Sequence, residues 1–272
     1  MTIKTAIGLT IAGSDSGGGA GIQADLKAMS ALGAYGASVI TALTAQNTTE
    51  VRAIQDVPAD FIACQIDTVL DDLKVDAIKI GMLSQVDVIE VVADRLKAKA
   101  SHIPVVLDPV MVAKSGDKLL QDNAIEALRK HLVPLATLMT PNLPEAGVLL
   151  GQEAPVDPES MKKCGSALME LGANAVLMKG GHLTGEECVD LLMHSNGEVQ
   201  KLHSRRVHTG NTHGTGCTLS ASISAFLAQG LDLTDAVSQA HQYLAKAIQS
   251  ADQLTVGHGH GPVHHFHQFW SK

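Results

Sequence analysis

Short apolar runs alternate with amphipathic stretches along most of this chain, and a chain so patterned buries its apolar surface by laying helices over a mostly parallel sheet. Residues 6–12 are apolar nearly throughout and give way to a glycine-rich loop at 13–19, the pattern of a buried strand with an abrupt end. A helix is expected over 20–32, a second buried run over 38–45, and then a helix with Ile62, Ile66, Val69, Leu70 and Leu73 on one face. A strand at 76–80 precedes Ser84 and Asp87, a candidate capping box for a helix turning Val88, Val91, Val92 and Leu96 inward. Strand 104–107, helix 124–132 and strand 136–139 continue the alternation. Asp157-Pro158 opens a helix with Met161, Cys164, Leu168 and Leu171 inside and Gly172 as its stop, before a strand at 175–178. Runs 188–193 and 199–202 straddle Ser195-Asn196-Gly197 as a β-hairpin near the sheet edge. Two long helices follow, the second over 234–251. With no internal repeat, low-complexity block or linker, residues 1–272 are expected to form a single α/β domain with helices on both faces.

In such sheets ligands bind beyond the carboxyl ends of the strands. The expected ends carry Asp15, Gln46, Met82, Asp108, Asn142 and Lys179, a convergence of polar and charged groups on one rim. The stretch Asn211-Thr212-His213-Gly214-Thr215-Gly216-Cys217-Thr218 then runs a glycine-punctuated turn into an apolar helix. Gly214 and Gly216 let backbone approach a ligand closely, and the helix start offers free N–H groups and a positive dipole end, a setting for an anion. Cys217 sits at that start, where a thiol is made more acidic. A simpler reading, a cysteine merely buried there, stays equally open on these residues.

No GxxxxGK[ST] motif occurs in the chain, so the 214–216 turn is its best phosphate cradle. Gly19-Ala20-Gly21-Ile22-Gln23-Ala24 satisfies a dinucleotide pattern, but the next strand ends in Gln46 where a ribose-binding acid is needed, and a glycine-rich loop over a small molecule is the preferred reading. Asp108 and Glu145 are hard oxygen ligands suited to Mg²⁺ among phosphates, or else ordinary helix-entry residues. Lys179 suits phosphate charge, or else is a surface lysine. His258, His260, His264, His265 and His267 raise a metal hypothesis that no nearby carboxylate supports.

The four cysteines show no CxxC spacing, which argues against a zinc site and for reduced thiols in a cytoplasmic protein. A net charge of −8 argues against nucleic acid or anionic lipid as partner, and 3% aromatic residues against a base-stacking platform. No membrane span or signal peptide is expected.

Ala12-Gly13-Ser14-Asp15, Gly18 to Asp25, Thr44-Ala45-Gln46-Asn47-Thr48, Lys79-Ile80-Gly81-Met82-Leu83, Asp108-Pro109-Val110-Met111, Thr140 to Ala146, Met178-Lys179-Gly180-Gly181-His182 and Thr212 to Thr218 occur in this order along nearly the whole chain. Together they closely resemble the bacterial hydroxymethylpyrimidine/phosphomethylpyrimidine kinases of thiamine biosynthesis. The tail 256–265 is similar too. The resemblance implies a ribokinase-like fold, a homodimer, and two successive phosphorylations that use ATP and Mg²⁺, with a small pyrimidine as substrate. By matching positions it implies Gln46, Asp25 and Met82 in the pyrimidine pocket; Lys179, Asn142 and Asp108 for ATP; Glu145 and Asp108 for the metal; Gly214, Thr215 and Gly216 as an anion hole; and Cys217 as the catalytic base. The family often carries Pro-Ser where this chain has Ser16-Gly17, so a looser first loop is expected. Rival readings are a pyridoxine or pyridoxal kinase of the same fold, a thiol hydrolase pairing Cys217 with His213, and a non-catalytic nucleotide-binding protein.

Overall fold

The computed structural model describes residues 4–111, 122–181, 183 and 185–270. Among the described residues nine strands form one sheet in the order β3-β2-β1-β4-β5-β6-β7-β8-β9. They are β1 (Ile7–Asp15), β2 (Tyr35–Gln46), β3 (Val51–Asp56), β4 (Ala77–Ile80), β5 (Val105–Leu107), β6 (Leu138–Met139), β7 (Ala175–Met178), β8 (Glu187–His194) and β9 (Val199–Arg205). From β2 through β1, β4, β5 and β6 to β7 all pairings are parallel, while β3, β8 and β9 join antiparallel at the two sides. The chain leaves β1 for β2 on one side and returns to β4 on the other, which opens a crevice above β1 and β4.

The strands between the helical layers read as unbroken apolar runs because both of their faces are covered. On one face lie α2 (Ala59–Asp72), α3 (Val86–Lys99), α5 (Leu143–Leu150) and α6 (Pro158–Glu170), whose Ile62, Ile66, Ile89, Val92, Leu149 and Leu168 are wholly buried. On the other lie α1 (Gly21–Ala31), α7 (Thr215–Ala228) and α8 (Leu233–Gln249). Helix α7 lies between α1 and α8 and is rich in small residues, among them Ser220, Ala221, Ser222, Ser224 and Ala225. Its buried Ser222 hydroxyl turns back to the Thr218 carbonyl at 2.6 Å. The expected hairpin is β8–β9, and Asp157 caps α6 as read from its Asp-Pro start.

Three local expectations change. Strand β3 was not foreseen, because Val51-Arg52-Ala53-Ile54-Gln55-Asp56 lies on an exposed edge where no buried face imprints a pattern. Ser84 does not cap α3: the helix begins after Gln85, and the side chains of Ser84 and Gln85 both donate to Asp56 at the end of β3 instead. The helix expected over 124–132 is α4 (Asp122–Ala127) running into a wide π-turn, Leu128–Leu132, and a tight turn, Val133–Leu135, where Pro134 cannot continue an α-helix. Among the described residues no helix is long and apolar enough to cross a membrane.

Candidate active site

The carboxyl ends of β5, β6 and β7 bring one cation and two acids together. Lys179 Nζ lies 3.1 Å from Asp108 Oδ1 and 3.9 Å from Glu145 Oε2. Asp108 is further held by Ser220 Oγ of α7 at 3.1 Å and Thr140 Oγ1 at 3.3 Å. Asn142 and Glu145 form the capping box of α5: Asn142 N donates to Glu145 Oε2 at 2.7 Å, and Glu145 N to Asn142 Oδ1 at 2.8 Å. The helix-entry reading of Glu145 is thus realised, while its carboxylate also faces Lys179. Burial raises its pKa, Lys179 draws it back, and Asp108 raises it again, so Glu145 stands at about 7. A carboxyl poised there gains from any further positive charge. Two hard carboxylates, with no third ligating side chain grouped among the described residues, fit an Mg²⁺ that takes its other ligands from phosphate and water.

The 214–216 turn packs against this cluster. A Cβ added to Gly216 would sit 3.4 Å from Lys179 Nζ and 3.5 Å from Asp108 Oδ2. Gly214 has φ 78°, and a Cβ there would meet the Gly19 carbonyl oxygen at 1.8 Å. Gly214→Ala is therefore expected to lose about 1–3 kcal/mol for the left-handed backbone alone, with more from the clash; a thermal melt unchanged from wild type would refute that assignment. Thr215 Oγ1 donates back to the Thr212 carbonyl at 2.7 Å, stiffening the turn. Of the expected anion hole, the Thr215 N–H is already taken by the Thr212 carbonyl at 3.3 Å, while among the described residues the N–H groups of Gly216 and its neighbour Cys217 meet no acceptor, as an anion site at a helix start requires.

Cys217 departs from expectation. The helix start was expected to make the thiol more acidic, yet burial pushes it up to about 11, against the pull of Lys79 and with Asp25 and Asp108 adding to the rise. Its own surface is only partly covered. Burial of the thiol, helped by the two carboxylates, outweighs the one ammonium. In the protein alone this is a protonated thiol.

The residues read for the pyrimidine pocket divide. Met82 lines the crevice above β1 and β4: its methyl would lie 2.5 Å from a Cβ on Gly13. The Gln46 amide accepts from Thr44 Oγ1 at 3.0 Å and approaches His213 Nε2 at 3.5 Å. Asp25 is different. It is 0% exposed and closed in by Lys79 Nζ at 2.9 Å and Thr10 Oγ1 at 2.6 Å, so it lies beneath the pocket surface.

On the sequence alone Thr10 and Lys79 had no role, Asp15 was only one of the strand-end groups on the rim, and His213 had only a rival role. Lys79 carried a signal, since a lysine inside the apolar run Ala77-Ile78-Lys79-Ile80 demands a buried acid. Asp15 accepts N–H groups from Gly17, Gly19 and Ala20 at 2.8, 3.0 and 2.9 Å and pairs with His213 Nε2 at 2.8 Å. Burial raises Asp15, but His213 and these N–H groups outweigh it and leave the carboxyl below its ordinary range. Because that loop turns its N–H groups onto Asp15, it has few to offer a pyrophosphate, and the dinucleotide pattern is coincidental. Nor is the loop left loose without proline. Ser16 Oγ donates to the Gln46 carbonyl and accepts the Gln46 N–H, both at 2.9 Å.

The C-terminal tail is part of this frame. His260 N donates to Thr48 O at 2.8 Å, His213 N to Gly261 O at 3.0 Å, and Val263 N to His213 O at 3.3 Å. Buried His265 meets Thr218 Oγ1 at 3.0 Å, and burial holds its ring at a pKa of about 3. These histidines brace the turn and the Gln46 loop. His182, quoted with the Lys179 motif, lies outside the described residues.

A nine-stranded sheet of this order, with a cationic and acidic cluster beside a free-N–H turn at its carboxyl rim, defines a ribokinase-like phosphotransferase. Solved structures agree. Phosphomethylpyrimidine kinase from Clostridium difficile 630 superposes with a TM-score of 0.79 at 45% identity, covering 90% of this chain and 100% of that one. Pyridoxal kinase from Staphylococcus aureus in complex with AMP-PCP and pyridoxal superposes at 0.89 with 34% identity, covering 98% and 95%. Hydroxymethylpyrimidine/phosphomethylpyrimidine kinase of Rhizobium meliloti is 54% identical over 266 residues, 98% of this chain and 99% of its own. The phosphomethylpyrimidine kinase family profile matches residues 15–264, and the chain belongs to that family.

Proposed function

We infer that this protein phosphorylates the hydroxymethyl group of an aminopyrimidine with ATP and then phosphorylates the resulting monophosphate to the diphosphate, in thiamine biosynthesis. The observation that carries the reading is the meeting of the Lys179–Asp108–Glu145 cluster with the 214–217 turn, in a chain of this family. Phosphoryl transfer asks for positioning and charge stabilisation more than for covalent chemistry. Lys179 balances phosphate charge and Asn142 fixes the rim that the nucleotide reaches. The N–H groups of Gly216 and Cys217 hold the transferring group while charge redistributes. Gln46 and Met82 seat the pyrimidine, and Cys217 takes the alcohol proton. Bound at Asp108 and Glu145, Mg²⁺ would neutralise charge on the ATP phosphates. The thiol-hydrolase reading has no support in a chain that belongs to this kinase family. One kinase domain, a homodimer and a cytoplasmic setting complete the proposal.

The deciding assay measures ATP consumption with hydroxymethylpyrimidine and separates mono- from diphosphate. Absence of both products overturns the reading. Because pyridoxal kinases share the fold closely, pyridoxal is the competitor to include, and preferred turnover of pyridoxal would reassign the substrate. Glu145→Gln is expected to raise the Mg²⁺ concentration for half-maximal rate about tenfold, the effect of losing about 1.4 kcal/mol of binding. An unchanged Mg²⁺ titration removes Glu145 from the metal site.

A further inference from the structure

Asp190 stands in strand β8 between Val189 and Leu191 and is buried. An acid in such a place is rarely left without a partner. Its partner is backbone: the Gly180 N–H donates to Asp190 Oδ1 at 2.7 Å. A backbone N–H can only donate, so Oδ1 is the acceptor in either protonation state of the carboxyl. Burial raises the pKa of that carboxyl, and the Gly180 N–H, His241 and Lys179 draw it back. Buried His241 of α8 faces the second oxygen, with Nε2 3.8 Å from Oδ2.

This contact lies one residue beyond Lys179. Strands β7 and β8 pair as far as Met178 and Leu191, and Lys179 leaves the sheet there. Lysine carries its ammonium on a flexible four-carbon stem, so its place beside Asp108 and Glu145 depends on where the backbone delivers that stem. The backbone that follows is Gly180-Gly181, which restrains itself least of all. Restraint is supplied from outside. The Lys179 N–H donates to Pro141 O at 3.0 Å, and Asp190 takes the next N–H along the chain. Arg206, just past β9, then donates from Nη1 to Gly181 O at 3.0 Å. A Cβ on Gly180 would fall 1.9 Å from Val189 O, so glycine is what lets the turn press onto β8 and reach the carboxyl.

We propose that Asp190 is a positioning residue for the phosphate-facing lysine: as a buried acceptor on β8 it fixes the Gly180 peptide and so sets where Lys179 delivers its ammonium. That Lys179 meets nucleotide phosphate rests on the functional reading above; the hold on Gly180 does not. The β8–β9 hairpin thereby becomes part of the frame of the site, with Asp190 on the N–H of Gly180 and Arg206 on the carbonyl of Gly181.

Lys179-Gly180 is the sole Lys-Gly step in the sequence, so protein labelled with ¹³C at the lysine carbonyl and ¹⁵N at glycine shows the Gly180 N–H as one resonance. Asp190→Asn keeps an oxygen that accepts this N–H, whereas Asp190→Leu fills the space without one. The amide proton is expected downfield in wild type and in the asparagine variant, and is expected to move upfield in the leucine variant. A resonance unmoved by leucine overturns the proposal. In calorimetric titrations with Mg²⁺ and AMP-PCP the leucine variant is expected to bind about tenfold more weakly and the asparagine variant to stay within about threefold of wild type, the scale of one hydrogen bond. Hydroxymethylpyrimidine binding is expected to change less than about twofold in either, well inside that scale. Unchanged AMP-PCP affinity, equal losses for both ligands, or an asparagine variant as weak as the leucine one would each overturn the proposal. If the leucine variant fails to fold, Asp190→Ala replaces it with the same expectations. Wild-type protein that binds no AMP-PCP fails the functional reading, while the Gly180 resonance still decides the contact.

Discussion

Replacing Cys217 by alanine is expected to slow the first phosphorylation by about 10²–10⁴-fold, the usual worth of a general base, and the second far less. The difference lies in the nucleophiles. The first step must deprotonate an alcohol. In the second the nucleophile is a phosphate oxygen, already anionic because its second pKa is about 6. Single-turnover rates for the two steps separate these cases, and equal losses in both would remove Cys217 from the role of base.

The raised thiol adds a pH signature. With the Cys217 pKa at about 11, thiolate is scarce at neutral pH and grows about tenfold per pH unit below that value. The first step is therefore expected to accelerate steadily from pH 7 to 9, and the second to be nearly flat there. Lys79 pulls the thiol down while Asp25 and Asp108 push it up, so the slope belongs to a balance of buried charges. A first step as flat as the second would contradict a thiol base.

Lys79→Met is expected to cost about 3–5 kcal/mol of stability, because it strands a buried carboxylate. Lys79 and Asp25 are both 0% exposed and 2.9 Å apart, and no water reaches either. The ammonium is curled beneath Gly81, where an added Cβ would lie 2.6 Å from Nζ, so the fit leaves little room for solvent to relieve the lost charge. Thr10 supplies one hydrogen bond to Asp25, and among the described residues Asp25 Oδ1 has no partner of its own. Removing both charges as Lys79→Met with Asp25→Leu is expected to recover most of the loss, since buried pairs are often replaced by apolar groups at little net cost. Denaturant melts of the two single variants and the double one give the comparison. A Lys79→Met protein within about 1 kcal/mol of wild type, well below the cost of an unpaired buried charge, would show that the pair does not carry this weight.

Much of the site was legible because strand ends are legible. Asp108, Asn142 and Lys179 each follow an apolar run, and sheet topology carries such residues to one rim whatever their side chains do. The Gly214–Gly216 turn was legible for a different reason, since glycine at those positions admits a left-handed backbone and close approach. What could not be read were pairings across long separations. Asp15 and His213 meet over a gap of 198 residues, and Lys79 and Asp25 over 54. Nothing local in either partner names the other. The capping assignment at Ser84 failed for the same reason: Asp56, on an edge strand that left no pattern, drew its hydroxyl away from the helix.

The alternation of apolar runs and amphipathic helices by itself determined the layered α/β fold and the rim where its chemistry lies, because periodic burial is a local property of the chain. Only the tertiary structure decided the state of the groups on that rim. Cys217 sits at a helix start that favours thiolate, yet the folded chain surrounds it with Asp25 and Asp108 as well as Lys79, and burial wins. Ionisation depends on the sum of desolvation and every nearby charge. That sum exists only once distant segments have been brought together.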